Sequence, residues 1–369
     1  MVTQTLQVGI SKFTHILHIA DIHIRLTKRH DEYLEVFDKL YKAIERTPPT
    51  TAICVLGDVF HNKSDLSPEC VESASDFLKK LADKRTTILI AGNHDATLAN
   101  KNRMDSLSPI VNAIKHPNLF YLKETGIYVC GNLLFNNFSV FDEHTPEKYI
   151  KHSDIPKIYT NATDHHIALF HGGVYNAVTD VGFKVTSACV TNESFDGHHI
   201  ALLGDIHKHQ VLQQYDDQAG KPVIVYAGSL IQQNHGENIK GHGFVYWDLS
   251  TKAFKHFEIP NNYGFYTVEI NKGKIATDLS DIPKKARLRL KCFESVVTEV
   301  KAALTQLRQS SDVVDVSYLR VDNPESKSNI IDSTNLNLHS LSDIEYQNKL
   351  IGEFRSEEHT SELQSPYVI

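Results

Sequence analysis

Five runs of apolar, mostly β-branched residues punctuate the first 205 positions: HILHIA at 15–20, TAICVL at 51–56, TTILIA at 86–91, HIALF at 166–170 and HIALLG at 199–204. Their near-continuous hydrophobicity predicts strands covered on both faces, not half-exposed ones. Two amphipathic stretches separate the first three runs. Residues 31–46 place Leu34, Phe37, Leu40, Tyr41 and Ile44 on one helical face. Residues 67–83 begin with Ser67 as an N-cap and Pro68 at the first helical position. The order strand, helix, strand, helix, strand from 15 to 91 predicts parallel βαβ units.

From 118 to 260 strand patterns dominate: LFYLKE, IYVCG, LLFNNFSVF, VIVYAGSL, FVYWDL and FKHFEI, besides the two HIAL runs. A second sheet packed on the first accounts for them. Asn261-Asn262-Tyr263-Gly264 reads as a turn and a boundary. Beyond it FYTVEI, ARLRLKCF, a helix over 294–309 and DVVDVSYLRV form a small βαβ module. The expected division is therefore a main domain over 1–262 and a small α+β domain over 263–321. Residues 322–340 are rich in Ser, Asn and Asp and read as a linker. Leu341, Ile344, Tyr346, Leu350 and Ile351 then repeat in a partly helical pattern, so 322–354 is expected to be linker plus the start of a C-terminal helix cut short. RSEEHTSELQS at 355–365 resembles the in-frame translation of a sequencing-library adapter, and 355–369 is expected to be foreign to the fold.

With 369 residues, 41% hydrophobic and 22% charged, the chain has the composition of a globular protein with room for one large domain and a smaller one. It has no apolar run of membrane-spanning length. MVTQTLQVGISKF lacks the basic and apolar regions of a secretory leader, so an intracellular protein, cytoplasmic or nuclear, is expected. Five scattered cysteines show no metal spacing and read as free thiols. A net charge of −7 gives no global attraction to nucleic acid. It does not exclude one, because bound cations would place positive charge where a phosphate sits.

The chemistry sits where the apolar runs stop. Asp21-Ile22-His23 follows the first, GDVFH (57–61) the second, GNHD (92–95) the third, HGG (171–173) the fourth, and the fifth runs into GDIHKHQ (204–210). Parallel strands that end at one sheet edge bring such residues together across tens of positions. Asp, His and Asn without cysteine are oxygen and nitrogen donors, suited to Mn²⁺, Fe²⁺ or Zn²⁺. Each segment alone is a common turn; five in this order predict an active site built around two divalent metals.

These residues resemble the calcineurin-like metallophosphoesterase superfamily, whose elements are D-x-H, GD, GNH[DE], a lone His and GH-x-H. Within it they most resemble the SbcD-like DNA repair exonucleases, the family of the meiotic recombination nuclease. GDVFH with Pro68 downstream, and YAGSL at 226–230, carry that finer likeness; Ala227 departs from a family proline. The resemblance implies a four-layer α-β-β-α sandwich with a small α+β capping domain. It implies one metal held by Asp21, His23, Asp58 and His207, and a second held by Asp58, Asn93, His171 and position 205, with Asp58 bridging. The metals implied are Mn²⁺. His94 and His61 fall on the family's catalytic, non-ligand positions. DNA is the implied substrate, an SbcC-like SMC-type ATPase the implied partner, and regions 31–46 and 101–115 the implied contributors to a homodimer.

One position departs from the pattern: Asp205 stands where the family has histidine. Asp205 either ligates as a harder, charged donor or is a turn residue, with His207 and His209 forming a shifted pair; otherwise His209 faces the DNA or supports a ligand. Tyr175 is either a groove residue or core. Two other functions fit the motifs: a nucleotide or small-molecule phosphodiesterase, and a scaffold subunit with impaired catalysis.

Overall fold

Alternation within the buried runs decides which side chain meets which layer. In His15–Ile19, Thr51–Leu56 and Thr87–Ile90, the side chains of Ile16, Cys54 and Ile88 point one way and Leu17, Ile53, Val55 and Leu89 the other, and all are buried. The first set packs on Phe135, Ile167, Leu169, Leu202 and Val225 of a second sheet, with Trp247 inside the same cluster. The second set packs on Tyr33, Val36, Phe37, Leu40, Phe77, Leu78 and Leu81 from two helices. Those helices are His30–Glu45 and Pro68–Lys84, the latter capped by Ser67, whose side chain accepts from Cys70 N. The computed structural model describes residues 2–321 apart from 64, 101, 102 and 144. The expected linker, the C-terminal helix fragment and the adapter-like tail lie outside the described residues.

The six-stranded sheet runs Phe254–Glu258, Gly243–Asp248, His15–Ile19, Thr51–Leu56, Thr87–Ile90, Leu119–Tyr121. Its last four strands are mutually parallel, as the βαβ pattern predicts, and Gly243–Asp248 is antiparallel to both its neighbours. The seven-stranded sheet runs Val2–Thr5, Gly126–Cys130, Leu133–Phe138, His165–His171, Ile200–Gly204, Val223–Tyr226, Gln210–Gln213. The outer face of the six-stranded sheet carries the helices. The outer face of the seven-stranded sheet is covered differently. Phe138, Phe170, Leu203 and Tyr226 lie under Phe195, Val174 and Val190, from a loop and a 3₁₀ turn. Ile127 and Leu134 lie under Ile155 and Tyr159, at the short helix Lys157–Thr160.

Residues 263–321 form a four-stranded sheet ordered Lys274–Ile275, Tyr263–Asn271, Lys285–Phe293, Asp312–Val321. Helix Val297–Ser310 closes its own core of Val268, Ile270, Leu288, Leu290, Leu304 and Leu307. The turn read at 261–264 is tied to the first helix: Asn261 Nδ2 donates to Glu32 (2.7 Å) and Asn262 Nδ2 to Glu35 (3.0 Å). Glu32, fully buried, also accepts from Arg29 (2.8 Å) and forms an ion pair with Arg287 (2.8 Å), joining helix and small sheet through one carboxylate.

Leu34 corrects the first helical face. It is 61% exposed, while Tyr33 and Val36 take the buried positions with Phe37, Leu40 and Ile44. The helix needs three of every seven residues inside, and the stripe simply lies one residue earlier than the apolar letters suggest. Strands Val2–Thr5 and Gln210–Gln213 carry too little periodicity to be seen in the sequence. Helix Leu107–Ile114 is a further element absent from the expected set, although Leu107, Ile110, Val111 and Ile114 recur at helical spacing. All five cysteines are free thiols, four of them buried and Cys189 exposed. No described helix is long and apolar enough to cross a membrane.

Candidate metal centre

The carboxyl ends of the parallel strands in both large sheets meet at one place. The six-stranded sheet delivers Asp21, His23, Asp58, Asn93 and His94; the seven-stranded sheet delivers His171, Asp205 and His207. Past the strand ends the first two loops keep pairing: Asp21 N donates to Gly57 O (3.2 Å), His23 N to Asp58 O (2.9 Å) and His61 N to Ile24 O (3.0 Å). Asp21, His23, Asp58 and Asp205 all hold positive φ (53°, 53°, 52° and 97°), a conformation costly to a residue with a side chain. Four of the candidate residues are thus held off the ordinary backbone so that their side chains face inward.

The glycines before Asp58, Asn93 and Asp205 have a packing reason. A Cβ at Gly57 would lie 2.5 Å from His171 Nδ1, and one at Gly204 would lie 2.8 Å from the same nitrogen. One at Gly92 would collide with the Asp58 carboxylate itself. The loops touch through their glycines, which lets ligand-type side chains from separate strands share one small volume.

Asp58 lies at the centre, with one oxygen 3.5 Å from His23 Nε2 and the other 3.4 Å from His171 Nε2. His171 Nδ1–H donates to Leu56 O (2.6 Å), which leaves Nε2 turned to Asp58 and, at 3.8 Å, to Asp205. On the other side His207 Nδ1–H donates to Glu237 Oε1 (2.8 Å), and its Nε2 lies 3.0 Å from His23 Nε2. Both carboxylate oxygens of Asp21 accept Asp205 N–H (3.0 and 3.2 Å). Asn93 Nδ2 reaches Asp205 Oδ1 at 3.3 Å. Donor atoms of Asp21, His23 and His207 lie within 4.8 Å of one another, as do those of Asp21, Asp58 and His171.

His23, His61 and His94 form a third such convergence. His94 Nδ1–H donates to the His61 carbonyl (2.6 Å), and its backbone N–H donates to Asp58 (2.8 Å). Its ring packs edge-on against His23, with centroids 4.9 Å apart. His209 has other neighbours. Its Nδ1–H donates to Tyr226 O (2.9 Å) and its ring stacks on His256 at 4.3 Å. Tyr175 is 43% exposed and lines a separate surface hollow with Thr191, Asn192 and Gln210.

The residues present fit divalent cations. His171 Nε2 and Asn93 Oδ1 are buried without a hydrogen-bond partner, donor atoms with nothing to bind but a cation. Three carboxylates crowd the space, and their charge shows in the titration of their neighbours. Burial opposes protonation of His171 and of His207. Even so, Asp58 holds His171 well above the ordinary imidazole range, and Glu237 and Asp21 raise His207 to about 9. Burial likewise pushes Asp21 up to about 7. Protons on these imidazoles are the substitute a metal would displace. Among the described residues the donors are oxygen and imidazole nitrogen alone, which suits hard to borderline metals.

Three contributors are not legible as site residues in the sequence. Glu237 fixes the His207 tautomer as a carboxylate behind a ligand does, but it sits in the NHGENIK loop without a motif. Asp95 closes the GNHD turn by accepting from Gly92 N (2.8 Å) and Phe60 N (3.0 Å). Tyr226 donates to Gly172 O (2.7 Å) and accepts from Val174 N (2.9 Å), so it sets the turn after His171. Asp95 inside GNHD and Tyr226 at the head of YAGSL each lie in a quoted segment, but nothing in either segment marks their role.

Comparison with known proteins agrees with this geometry. The family model described as calcineurin-like phosphoesterase matches residues 14–209, which holds Asp21 through His207. An uncharacterized protein of Acanthamoeba polyphaga mimivirus is 42% identical over 285 residues, covering 76% of this chain and 20% of that protein. The chain thus spans about a fifth of the length of the curated relative it matches. The crystal structure of a cold-active protein-tyrosine phosphatase from a psychrophilic Shewanella species aligns with 48% of this chain and 69% of that one. The identity is 12% and the TM-score 0.23, too low to carry an argument. With the family model covering more than half of its length, the chain belongs to the calcineurin-like phosphoesterases.

Proposed function

We propose that the protein is a metal-dependent nuclease that hydrolyses phosphodiester bonds at DNA ends, in the manner of the SbcD-like exonucleases its motifs resemble. The observation that carries this reading is a groove beside the metal centre. A cavity of about 750 Å³ lies between the 25–29 loop with the start of the first helix, the 233–235 loop and the small sheet. Arg25, Lys28, Arg29, Arg287 and Arg289 line it, against Asp31, Glu32 and Asp315. Five cations to three carboxylates is a local positive excess in a chain of net charge −7. Tyr263 and Phe265 add ring faces, with Arg29 and Arg287 stacked 5.0 and 5.3 Å from Phe265. Guanidinium beside aromatic surface suits a phosphate backbone with bases. The groove reaches toward the centre through Asn234, which lines it and donates to Glu237 (2.8 Å), the carboxylate that holds His207.

In this reading Asp21, His23, Asp58 and His207 hold one divalent cation, and Asp58, Asn93, His171 and Asp205 hold the other, Mn²⁺ in both cases. When bound, the cation pair supplies Lewis acidity to the phosphoryl group and makes the attacking water more acidic. The protein does the rest. The Leu56 carbonyl and Glu237 keep His171 and His207 in the tautomer that presents Nε2. His94, oriented through its Nδ1–H, offers Nε2 to the leaving oxygen, and His61 positions the strand end. Residues 263–321 act as the cap over the groove. An SbcC-like SMC-type ATPase is the partner proposed, and a homodimer the assembly. Leu34 and Met104, 61% and 72% exposed, lie in the two stretches assigned to its interface.

Purified protein incubated with linear DNA, with and without Mn²⁺, and in parallel with a model phosphodiester, tests the reading. Mn²⁺-dependent shortening or nicking of the DNA is expected. Hydrolysis of the small diester with the DNA left intact would favour the small-molecule alternative, and inertness toward both the scaffold one.

A further inference from the structure

The loop after His171 folds into a hairpin whose tip is largely exposed. Val178 and Lys184 pair antiparallel; Gly182 N donates to Thr179 O (2.9 Å), and Thr179 N to Phe183 O (2.9 Å). The turn is closed by further bonding, with Gly182 at φ 82° and Phe183 N–H donating to Thr179 Oγ1 (3.1 Å). Yet Val181 is 75% exposed and Phe183 is 64% exposed. A single exposed apolar side chain is ordinary. Two on one locked turn are less so, and their position is specific.

The hairpin is moored to the loop that carries Asp205 and His207. Gln210 binds Val178 twice, its Nε2 donating to Val178 O (2.8 Å) and its Oε1 accepting from Val178 N (3.0 Å). Thr179, Asp180 and Val181 line one small hollow together with Asp205 and His207. Two further exposed cations, Lys184 on the hairpin and Lys208 beside His207, stand on the same two loops. Val181 thus lines the hollow of the metal centre beside Asp180, and the exposed Phe183 follows two residues on across the turn, on loops that also carry two ammonium groups.

We infer that Phe183, backed by Val181, is a stacking platform for a nucleobase next to the scissile phosphate, with Lys184 and Lys208 taking the adjoining backbone. This rests on the nuclease reading and assigns a positioning contact within it. A ring face binds any base and so holds the strand without reading its sequence. A pre-ordered turn does this at little entropic cost.

The test is a cycle of two enzymes and two oligonucleotides. One duplex is normal; the other has the same backbone but abasic tetrahydrofuran residues over the terminal three nucleotides of each end. With Mn²⁺ present, Phe183→Ala should raise KM for the normal duplex roughly 5- to 150-fold, the range of a lost base–aromatic stack, with kcat little changed. Phe183→Trp should restore it. On the abasic duplex Phe183→Ala and the parent protein should have equal KM, because the partner of the ring is gone. An unchanged KM on the normal duplex, or a loss that persists on the abasic one, overturns the inference while leaving the nuclease reading in place. If the parent protein cleaves neither duplex yet hydrolyses a small phosphodiester, the nuclease reading falls and the stacking role falls with it.

Discussion

Glu237 shows how a single residue can matter to the centre without touching its contents. Its carboxylate takes the Nδ1 proton of His207 and also accepts from Gln233 N (2.6 Å) and Asn234 Nδ2 (2.8 Å), so it is itself held in place. Glu237→Gln should leave the fold intact by circular dichroism and lower metal affinity about 10- to 100-fold, as loss of such support does elsewhere. Chelator competition measures it, and an unchanged affinity would reduce Glu237 to a loop brace. Asp58→Ala should be more severe. Its two oxygens face His23 and His171 separately, so elemental analysis should find both metals depleted in folded protein. Two metals retained would end the bridging assignment. Asp205 separates its two sequence readings by substitution. Asp205→Ala should deplete one metal and spare the other; full occupancy would make it a turn residue. Asp21, His23, Asp58 and His171 were legible because each ends an apolar run. Glu237 was not, because a hydrogen bond across 30 positions leaves no spacing to read.

At the scale of the element, the loops depend on glycine for contact more than for flexibility. Gly92 has no positive φ, yet a Cβ there would occupy the place of the Asp58 carboxylate. Gly92→Ala should therefore disrupt metal binding as thoroughly as loss of a ligand, whereas Gly9→Ala, with open space around it, should change nothing. Metal content of the two variants at matched helicity gives the comparison; equal content would mean the loops can part without harm. The buried strands were readable from sequence because both faces are covered and the runs are unbroken. The register of the first helix was less so. Leu34 satisfies an apolar pattern as well as Tyr33 does, and only packing against Ile19, Val55 and Phe77 selects the face. The short strand Gln210–Gln213, polar at both ends, is held by pairing with Val223–Tyr226, which no local pattern announces.

Across the whole molecule, a buried carboxylate, Glu32, ties the small sheet to the body, with Glu35 bonded to Asn262 and Lys285 beside it. Burial alone would raise the Glu32 pKa, but the Arg29 hydrogen bond and charge, with Arg287 behind, hold it below the ordinary value. A depressed carboxylate stabilises the fold above its unfolded pKa, and that stabilisation fades as pH falls through the folded one. Acid titration followed by hydrogen exchange should therefore release residues 263–321 before the two large sheets. Glu32→Ala leaves two buried guanidinium groups without their carboxylate, Arg29 keeping only Gln232 O and Gln233 Oε1, and should cost about 3–5 kcal/mol, read from denaturant unfolding. A cost below about 1 kcal/mol would show the small sheet to be held by other contacts.

The two large sheets supply the centre in nearly equal shares: Asp21, His23, Asp58 and Asn93 come from one, His171, Asp205 and His207 from the other. A cation held by both would fasten one sheet to the other, closing a chain segment of well over 100 residues without a covalent bond. Its grip would then be part of the resistance of the sandwich to shearing apart, and the melting temperature should follow free metal concentration. At 100 times the dissociation constant the gain is about 2.7 kcal/mol per site. Chelation should make the inter-sheet core around Trp247 exchange faster than the helix-covered face around Phe77. An enzyme of this build would report the metal supply of its surroundings through its lifetime as well as through its turnover.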